Sequence, residues 1–143
     1  KRMLFDPAAS IDLQGHTGPF IQYTYARIRS LLRKGGGSDD QKIRRSENVG
    51  TIAELLPEER AVIKLLHHFP AVLHDAAAKL EPSVIANHVY ELVKAYNSFY
   101  QNVPVMKEED LSKREFRLVL SEAVATTAKK AMWCLGVEVP ERM

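Results

Sequence analysis

Apolar side chains recur along this chain at intervals of three and four residues, which is the spacing of amphipathic α-helices. The first such run follows Gly18, and Pro19 suits the opening turn of a helix because its missing N–H is not needed there. The apolar positions of this run are Ile21, Tyr25, Ile28 and Leu32. Three glycines and a polar stretch come next, so we predict a helix over 19–34 and a flexible loop over 35–50.

A second apolar run begins at Pro57 and is interrupted by Pro70. Its apolar positions are Val62, Leu66 and Phe69 before the interruption, and Leu73, Ala76, Ala77 and Leu80 after it. A proline inside a helix removes a backbone donor and crowds the preceding turn. We therefore predict two helices here, separated by a sharp kink or a short break at Pro70.

Two further runs complete the pattern, over 82–100 and 111–135, and an irregular connector joins them. The stripe of the first run is Ile85, Val89, Leu92, Val93, Tyr96 and Phe99. The stripe of the second is Phe116, Leu120, Ala123, Thr127, Ala131 and Cys134 or Leu135. Gly136 is placed to end the last helix. No run alternates with a period of two, so the predicted fold is an all-α bundle of about five helices.

The composition is that of a single globular domain, with 143 residues of which 45% are hydrophobic. Cys134 is the only cysteine, which excludes an intrachain disulfide, and its place on an apolar stripe predicts a buried, inert thiol. No apolar run approaches the ~18 residues of a membrane span, and the first residues do not resemble a signal peptide. These features favour a cytoplasmic protein. The chain begins with Lys1 rather than methionine, so we expect a fragment of a longer protein.

Charge is unevenly distributed along the chain, although the net charge is only +2. Residues 1–46 contain nine Lys or Arg and four acids, whereas the remaining residues contain eleven bases and fourteen acids. A basic region favours an anionic partner such as a nucleic acid. A solvated basic face that binds nothing explains the same charges almost equally well.

The residues offer no catalytic or metal-binding arrangement. The five histidines have no cysteine or carboxylate neighbours at the spacing of a metal site. They are His16, His67, His68, His74 and His88. The turn Gly15-His16-Thr17-Gly18 opens a helix, so its N–H groups either hold an anion or form a simple turn capped by Thr17. We predict no catalytic residue and no metal in this chain.

A binding surface is a better candidate for function. Phe20, Tyr23 and Arg27 lie at i, i+3 and i+7, on a helix face rotated away from the apolar stripe of the first helix. Aromatic rings stack on the splayed bases of RNA loops, and guanidinium groups pair with phosphates. Alternatively, the two rings pack against a neighbouring helix and the arginine neutralises a carboxylate. The spacing alone leaves both interpretations open.

Longer motifs resemble a known family. The chain contains Gly15-x-Thr17-Gly18-Pro19-Phe20-x-Gln22-Tyr23-x-x-Ala26-Arg27-Ile28, later Tyr96-Asn97-x-Phe99-Tyr100, and finally Leu135-Gly136-Val137-x-Val139-Pro140-Glu141-x-Met143. These motifs closely resemble the C-terminal anticodon-binding "DALR" domain of arginyl-tRNA synthetases of class I, and the similarity spans nearly the whole chain. The family often has histidine where Tyr25 stands, so the resemblance assigns no function to that residue.

The resemblance implies that this helical domain binds the anticodon arm of arginine tRNA. It implies contacts from Phe20, Tyr23, Arg27, Tyr100 and Met143. Tyr23 and Tyr100 would stack or hydrogen-bond, Arg27 would meet a phosphate or a base edge, and Met143 would give an apolar contact. The alternatives are simple core packing for Tyr100 and a disordered last residue for Met143.

The nucleotide-binding signatures of class I synthetases, H-I-G-H and K-M-S-K-S, are absent from this chain. The resemblance therefore implies a fragment without the catalytic domain and without a cofactor of its own, whose parent enzyme uses ATP with Mg²⁺. It implies that residues 1–18 link to that catalytic domain, a second partner besides the tRNA, and that 19–143 form the anticodon-binding domain. The alternative is a helical protein–protein interaction module that binds no RNA, which a weak dependence of binding on salt would reveal.

Overall fold

A computed structural model describes residues 17–35 and 54–143, together with Pro7. Four helices lie within 17–35 and 54–143. The helices are α1 (Gly18–Lys34), α2 (Pro57–Lys79), α3 (Pro82–Asn102) and α4 (Leu111–Cys134). No strand occurs within these described ranges, and the predicted all-α fold is confirmed. The predicted loop over 35–50, apart from Gly35, and most of the predicted linker over 1–18 lie outside the described residues.

The structure corrects the prediction at Pro70. The helix runs without a break from Pro57 to Lys79, with Pro70 inside it, so one helix replaces the two expected. Pro70 itself is exposed, whereas Phe69 before it and Ala76 after it are both buried. A continuous helix keeps Val62, Phe69 and Ala76 buried on one side, and this burial outweighs the missing backbone hydrogen bond. The predicted stripe is wrong at its end, because Ala77 and Leu80 are exposed.

The helix ends follow local sequence signals. Thr17 caps α1, because its hydroxyl accepts a hydrogen bond from the N–H of Phe20 at 3.3 Å. Asp110 caps α4 in the same way through the N–H groups of Ser112 and Lys113. Gly136 follows the end of α4 with a positive φ of 73°, as expected of a helix-ending glycine. This turn sends residues 137–143, the C-terminal tail, away from the axis of α4.

The core lies where the four helices meet. The predicted stripes of α1 and α3 are confirmed, since all of their residues are buried. The predicted stripe of α4 is wrong in part: Leu120 and Ala131 are buried, but Phe116, Ala123 and Thr127 are only half-buried and Cys134 is exposed. The buried side of α4 consists of Arg117, Leu118, Leu120, Ser121, Val124, Ala125, Ala128, Ala131 and Met132.

Two polar residues on that side explain the error. Arg117 donates from Nε to Glu59 at 2.8 Å and from Nη1 to the carbonyl of Pro104 at 2.8 Å, and it also pairs with Glu108. Ser121 accepts a hydrogen bond from the hydroxyl of Tyr96 at 3.1 Å. Because each polar group has a partner, both residues can lie inside the bundle. A pattern of apolar residues does not predict a buried polar residue.

Candidate nucleic-acid interface

Helix α1 presents two different surfaces, and Tyr25 of its apolar stripe belongs to one of them. Residues two apart on a helix point about 200° apart around its axis. Tyr23 and Arg27 therefore lie on one side of α1, and Tyr25 and Arg29 lie on another. The alternating rings and arginines of this segment serve two separate sets of contacts.

The first surface joins α1 to the end of α3. The guanidinium carbon of Arg27 lies 4.5 Å from the centre of the Tyr100 ring, in a cation–π arrangement. The Tyr100 ring in turn stacks on Tyr96, with ring centres 6.2 Å apart and planes 29° apart. Tyr23, one turn before Arg27, is 42% exposed. The structure thus brings together three of the five predicted contact residues, Tyr23, Arg27 and Tyr100, on one surface, which we call the aromatic patch.

The stacking in the aromatic patch orients Arg27 without consuming its hydrogen-bonding capacity. A guanidinium group stacks through its flat face, whereas its N–H donors lie in its plane. Among the described residues, the contact found for Arg27 is with the Tyr100 ring, whereas one interpretation of the sequence placed it beside a carboxylate. Tyr100 is half-buried against the core while its ring also contacts Arg27. The two interpretations of Tyr100, as core residue and as surface residue, therefore both describe part of its environment.

Phe20 extends the aromatic surface toward the start of α1. Its ring lies 5.6 Å from that of Tyr90 on α3, at 50° between planes, as expected if it packs against a neighbouring helix. The ammonium group of Lys94 lies 5.9 Å from the centre of the Tyr90 ring. Tyr90 and Lys94 were not predicted as site residues, although their i, i+4 spacing on the same helix is a signal that could have indicated the pair.

The second surface of α1 binds the C-terminal tail. Tyr25 donates its hydroxyl to one carboxylate oxygen of Glu141 at 2.7 Å, and Arg29 donates Nε to the other at 2.6 Å. Arg33 donates to the backbone carbonyl of Glu141 at 3.2 Å. Nearer the start of the helix, Gln22 donates to the carbonyl of Glu138 at 2.7 Å. The tail therefore follows α1 over more than three turns.

These contacts shift the pKa values of both partners. Burial, and then the hydrogen bond to Glu141, raises the pKa of the Tyr25 hydroxyl to about 12. Partial burial alone would raise the pKa of Glu141, but the hydrogen bonds from Arg29 and Tyr25 outweigh it and lower that pKa. Near neutral pH the pair is thus a protonated phenol donating to an ionised carboxylate.

Met143, the last predicted contact residue, is not part of the aromatic patch. It lies two residues beyond Glu141 and is 64% exposed. Glu141 is bound on the side of α1 that points away from Tyr23 and Arg27. The structure therefore places Met143 at the end of the attached tail. What Met143 can contact depends on where that tail lies.

Residues of α1, α4 and the tail together line a groove of about 930 Å³. Its lining includes Tyr25, Arg29, Lys129, Lys130, Trp133 and Glu141. The indole of Trp133 is 78% exposed, and the neighbouring Cys134 is exposed as well. The prediction of a buried thiol is therefore wrong, because the apolar stripe of α4 ends at Met132 and the final turn extends beyond the core.

The described residues contain no group of three or more His, Cys, Asp or Glu side chains that could hold a metal ion. His88 has a structural role, since its Nε2 lies 3.0 Å from the carbonyl of Leu65 and its ring stacks on Phe69. Burial lowers the pKa of His88. Among the helices of the described ranges, none is long and apolar enough to cross a membrane.

Comparison with known proteins places these features in a family. A family model described as the DALR anticodon binding domain matches residues 21–143. The chain is 48% identical over 143 residues to an arginine–tRNA ligase of Flavobacterium psychrophilum, covering 100% of this chain and 22% of that protein. It is 46% identical over 143 residues to an arginine–tRNA ligase of Phocaeicola vulgatus, covering 100% and 23%.

The fold is also similar to a solved structure. Thermus thermophilus arginyl-tRNA synthetase matches with a TM-score of 0.85 and 28% sequence identity, over 100% of this chain and 24% of that one. The chain thus spans less than a quarter of the length of these relatives. The family match covers nearly all of α1, the helices that pack on it and the tail, so both surfaces of α1 lie within it. The chain belongs to the DALR anticodon binding domain family.

Proposed function

We propose that this chain binds the anticodon arm of arginine tRNA, as the RNA-reading part of an arginine–tRNA ligase. The aromatic patch is the observation that carries the proposal: an exposed ring, Tyr23, beside an arginine stacked on a second ring within a domain of the anticodon-binding family. Aromatic and guanidinium groups at one surface suit single-stranded RNA loops, whose bases stack and whose phosphates pair with arginine.

Each residue of the patch has a role in this proposal. Tyr23 stacks on a base of the loop, because it has the most accessible ring of the patch. Arg27 donates in-plane N–H groups to a phosphate or a base edge while Tyr100 holds its orientation. Phe20 supports the start of the same surface through Tyr90, and Met143 adds an apolar contact from the tail.

The proposal extends to the parent enzyme. That enzyme would attach arginine to its tRNA in the cytoplasm at the expense of ATP, with Mg²⁺ as the usual partner of the nucleotide phosphates. The described residues supply no metal-binding group, and the reaction would be carried out by the remaining three quarters of the enzyme. The anticodon-binding chain would contribute affinity and tRNA selection to that reaction.

Tyr23→Ala is expected to weaken binding of an arginine-tRNA anticodon stem-loop by about 1–3 kcal/mol, the usual effect of losing one stacked base. Stability should change little because the ring is 42% exposed. Fluorescence titration with the labelled stem-loop and a thermal melt measure the two quantities. Trp133→Ala is the matched control, since it removes an even more exposed ring from another surface. Equal losses for the two variants, or equal binding of unrelated hairpins, would contradict the proposal.

Arg27→Ala is expected to weaken the same binding and, if the contact is to a phosphate, to reduce the slope of log K against log salt by about one. Arg27→Lys retains the charge but loses the planar stack on Tyr100, so it should keep the salt slope and still lose affinity. Titrations at several salt concentrations distinguish these effects. A salt slope unchanged in Arg27→Ala would overturn the phosphate contact, and absence of stem-loop binding at every salt concentration would favour a protein-binding module instead.

A further inference from the structure

We propose that Tyr25, Arg29 and Arg33 act as positioning residues that clasp the tail through Glu141 and thereby fix where Met143 meets the RNA. This inference rests on the proposed function, because it concerns the position of Met143, a residue proposed to contact RNA. The three residues themselves need not touch RNA. They define the clasp together with the two oxygens of the Glu141 carboxylate and its backbone carbonyl.

The geometry of the clasp is that of a specific attachment. Tyr25, Arg29 and Arg33 stand on successive turns of α1, spaced by four residues, and each donates a hydrogen bond to Glu141. One oxygen of the carboxylate accepts a charge-assisted hydrogen bond from Arg29 at 2.6 Å. The other accepts a hydrogen bond from the hydroxyl of the buried Tyr25 at 2.7 Å. The carboxylate and the carbonyl of one tail residue are thus both fixed relative to the helix.

Lys129 on α4 also lies near the Glu141 carboxylate, at 4.0 Å, and the remainder of the tail has few other anchors. Gln22 holds the carbonyl of Glu138, and the half-buried Val139 packs against the core clusters. Chain ends without such attachments are commonly disordered. The clasp is the last of the described attachments before Met143, so it determines how far the final residues can move.

The clasp restricts Met143 to a small region. Two residues of extended chain span about 7 Å, so the Cα of Met143 stays within that distance of the Cα of Glu141. Arg33, which holds the Glu141 carbonyl, follows Arg27 by six residues, or about 9 Å along the helix axis. Met143 is therefore held near the C-terminal end of α1, beyond Arg27 of the aromatic patch.

Ordering the tail before RNA arrives makes the Met143 contact less costly, because the conformational entropy of the tail is already lost in the free protein.

The clasp should remain formed near neutral pH, since the raised pKa of Tyr25 keeps its hydroxyl a donor and the lowered pKa of Glu141 keeps its carboxylate ionised. The proposal therefore predicts that loss of the clasp lowers RNA affinity by freeing Met143.

The test combines tail mobility with RNA binding. Tyr25→Phe keeps the buried ring and removes only the hydroxyl, and Glu141→Gln removes the charge of the acceptor. Each is expected to lower the backbone NMR order parameters of the non-proline residues of 138–143 to below about 0.6, the range of flexible backbone, with a melting temperature near that of the unsubstituted chain. Tyr23→Phe is the matched control, because it removes a hydroxyl from the other side of α1 and should leave the order parameters of the tail unchanged.

The RNA arm of the test uses a double-mutant cycle with the arginine-tRNA stem-loop. Tyr25→Phe should reduce affinity several-fold in the unsubstituted chain and produce no further loss when Met143→Ala is already present. Unchanged tail order parameters in both clasp variants would overturn the clasp. Lower order parameters with an equal loss of affinity in both backgrounds would overturn its action through Met143. If the unsubstituted chain fails to bind the stem-loop, the proposed function and the positioning role fail together, while the tail order parameters still decide whether the clasp exists.

Discussion

Arg117→Leu is expected to lower the free energy of unfolding by about 3–5 kcal/mol, the usual effect of removing one partner of a buried ion pair. The side chains of Arg117 and Glu59 are only 6% and 3% exposed. Without the guanidinium group, the Glu59 carboxylate would lie inside the bundle with no cation to balance it, and the carbonyl of Pro104 would lose its donor. Urea denaturation followed by circular dichroism measures the change.

Two controls distinguish a buried unpaired charge from a general loss of packing. Replacing Glu59 and Arg117 together by leucine should cost clearly less than Arg117→Leu alone, because no charge then remains unpaired. Arg29→Leu breaks an ion pair whose side chains are 27% and 50% exposed, so it should cost less than about 1 kcal/mol. A small effect of Arg117→Leu, comparable with that of Arg29→Leu, would show that Glu59 gains solvent or another partner.

The position of Arg117 explains why a single side chain has such an expected effect. It joins three segments: the first turn of α2 through Glu59, the connector between α3 and α4 through Pro104 and Glu108, and α4 itself. That connector follows directly on the end of α3, which carries Tyr100. Arg117 therefore fixes the frame on which the aromatic patch is built, without belonging to the patch.

Where burial alone decides orientation, the sequence was sufficient to predict the fold. The stripes of α1 and α3 contain almost only apolar residues, so the period of three and four is clear and the buried side follows from it. The same reasoning failed for α4, because Arg117 and Ser121 occupy its buried side and satisfy their polar groups with residues from other helices. It failed at Pro70 because packing against α3 outweighs a local helix-breaking preference.

The candidate site, like the fold, was predicted only in part. Helical spacing and the family resemblance together indicated Tyr23 and Arg27 on one face of α1. The resemblance implied Tyr100 as a contact residue but did not predict its stacking with Arg27, since no local pattern relates these two residues on different helices. The hydroxyl of Tyr25 was out of reach of any sequence argument, because its acceptor, Glu141, lies 116 residues away. A residue assigned to the core by its ring thus also anchors the tail by its oxygen.

Phe99→Ala is expected to destabilise the domain by about 3–5 kcal/mol, as is usual for truncating a buried phenylalanine. Phe99 is 0% exposed and its ring lies 5.6 Å from that of Tyr96, within the main core cluster. Removing it leaves a cavity that the surrounding helices can fill only partly. The midpoint of thermal or urea unfolding measures the loss, and RNA affinity should fall only to the extent that folded protein is lost.

Tyr100→Ala, one residue further along α3, should give the opposite result. Its ring is half-buried and faces Arg27, so truncation should cost less than half the stability lost in Phe99→Ala while weakening RNA binding at conditions where the protein is fully folded. Comparing the two variants thus distinguishes a residue that supports the core, Phe99, from a neighbouring residue that supports RNA binding, Tyr100. If Tyr100→Ala unfolds the domain as severely as Phe99→Ala does, Tyr100 is a core residue and Arg27 is oriented for RNA by some other contact.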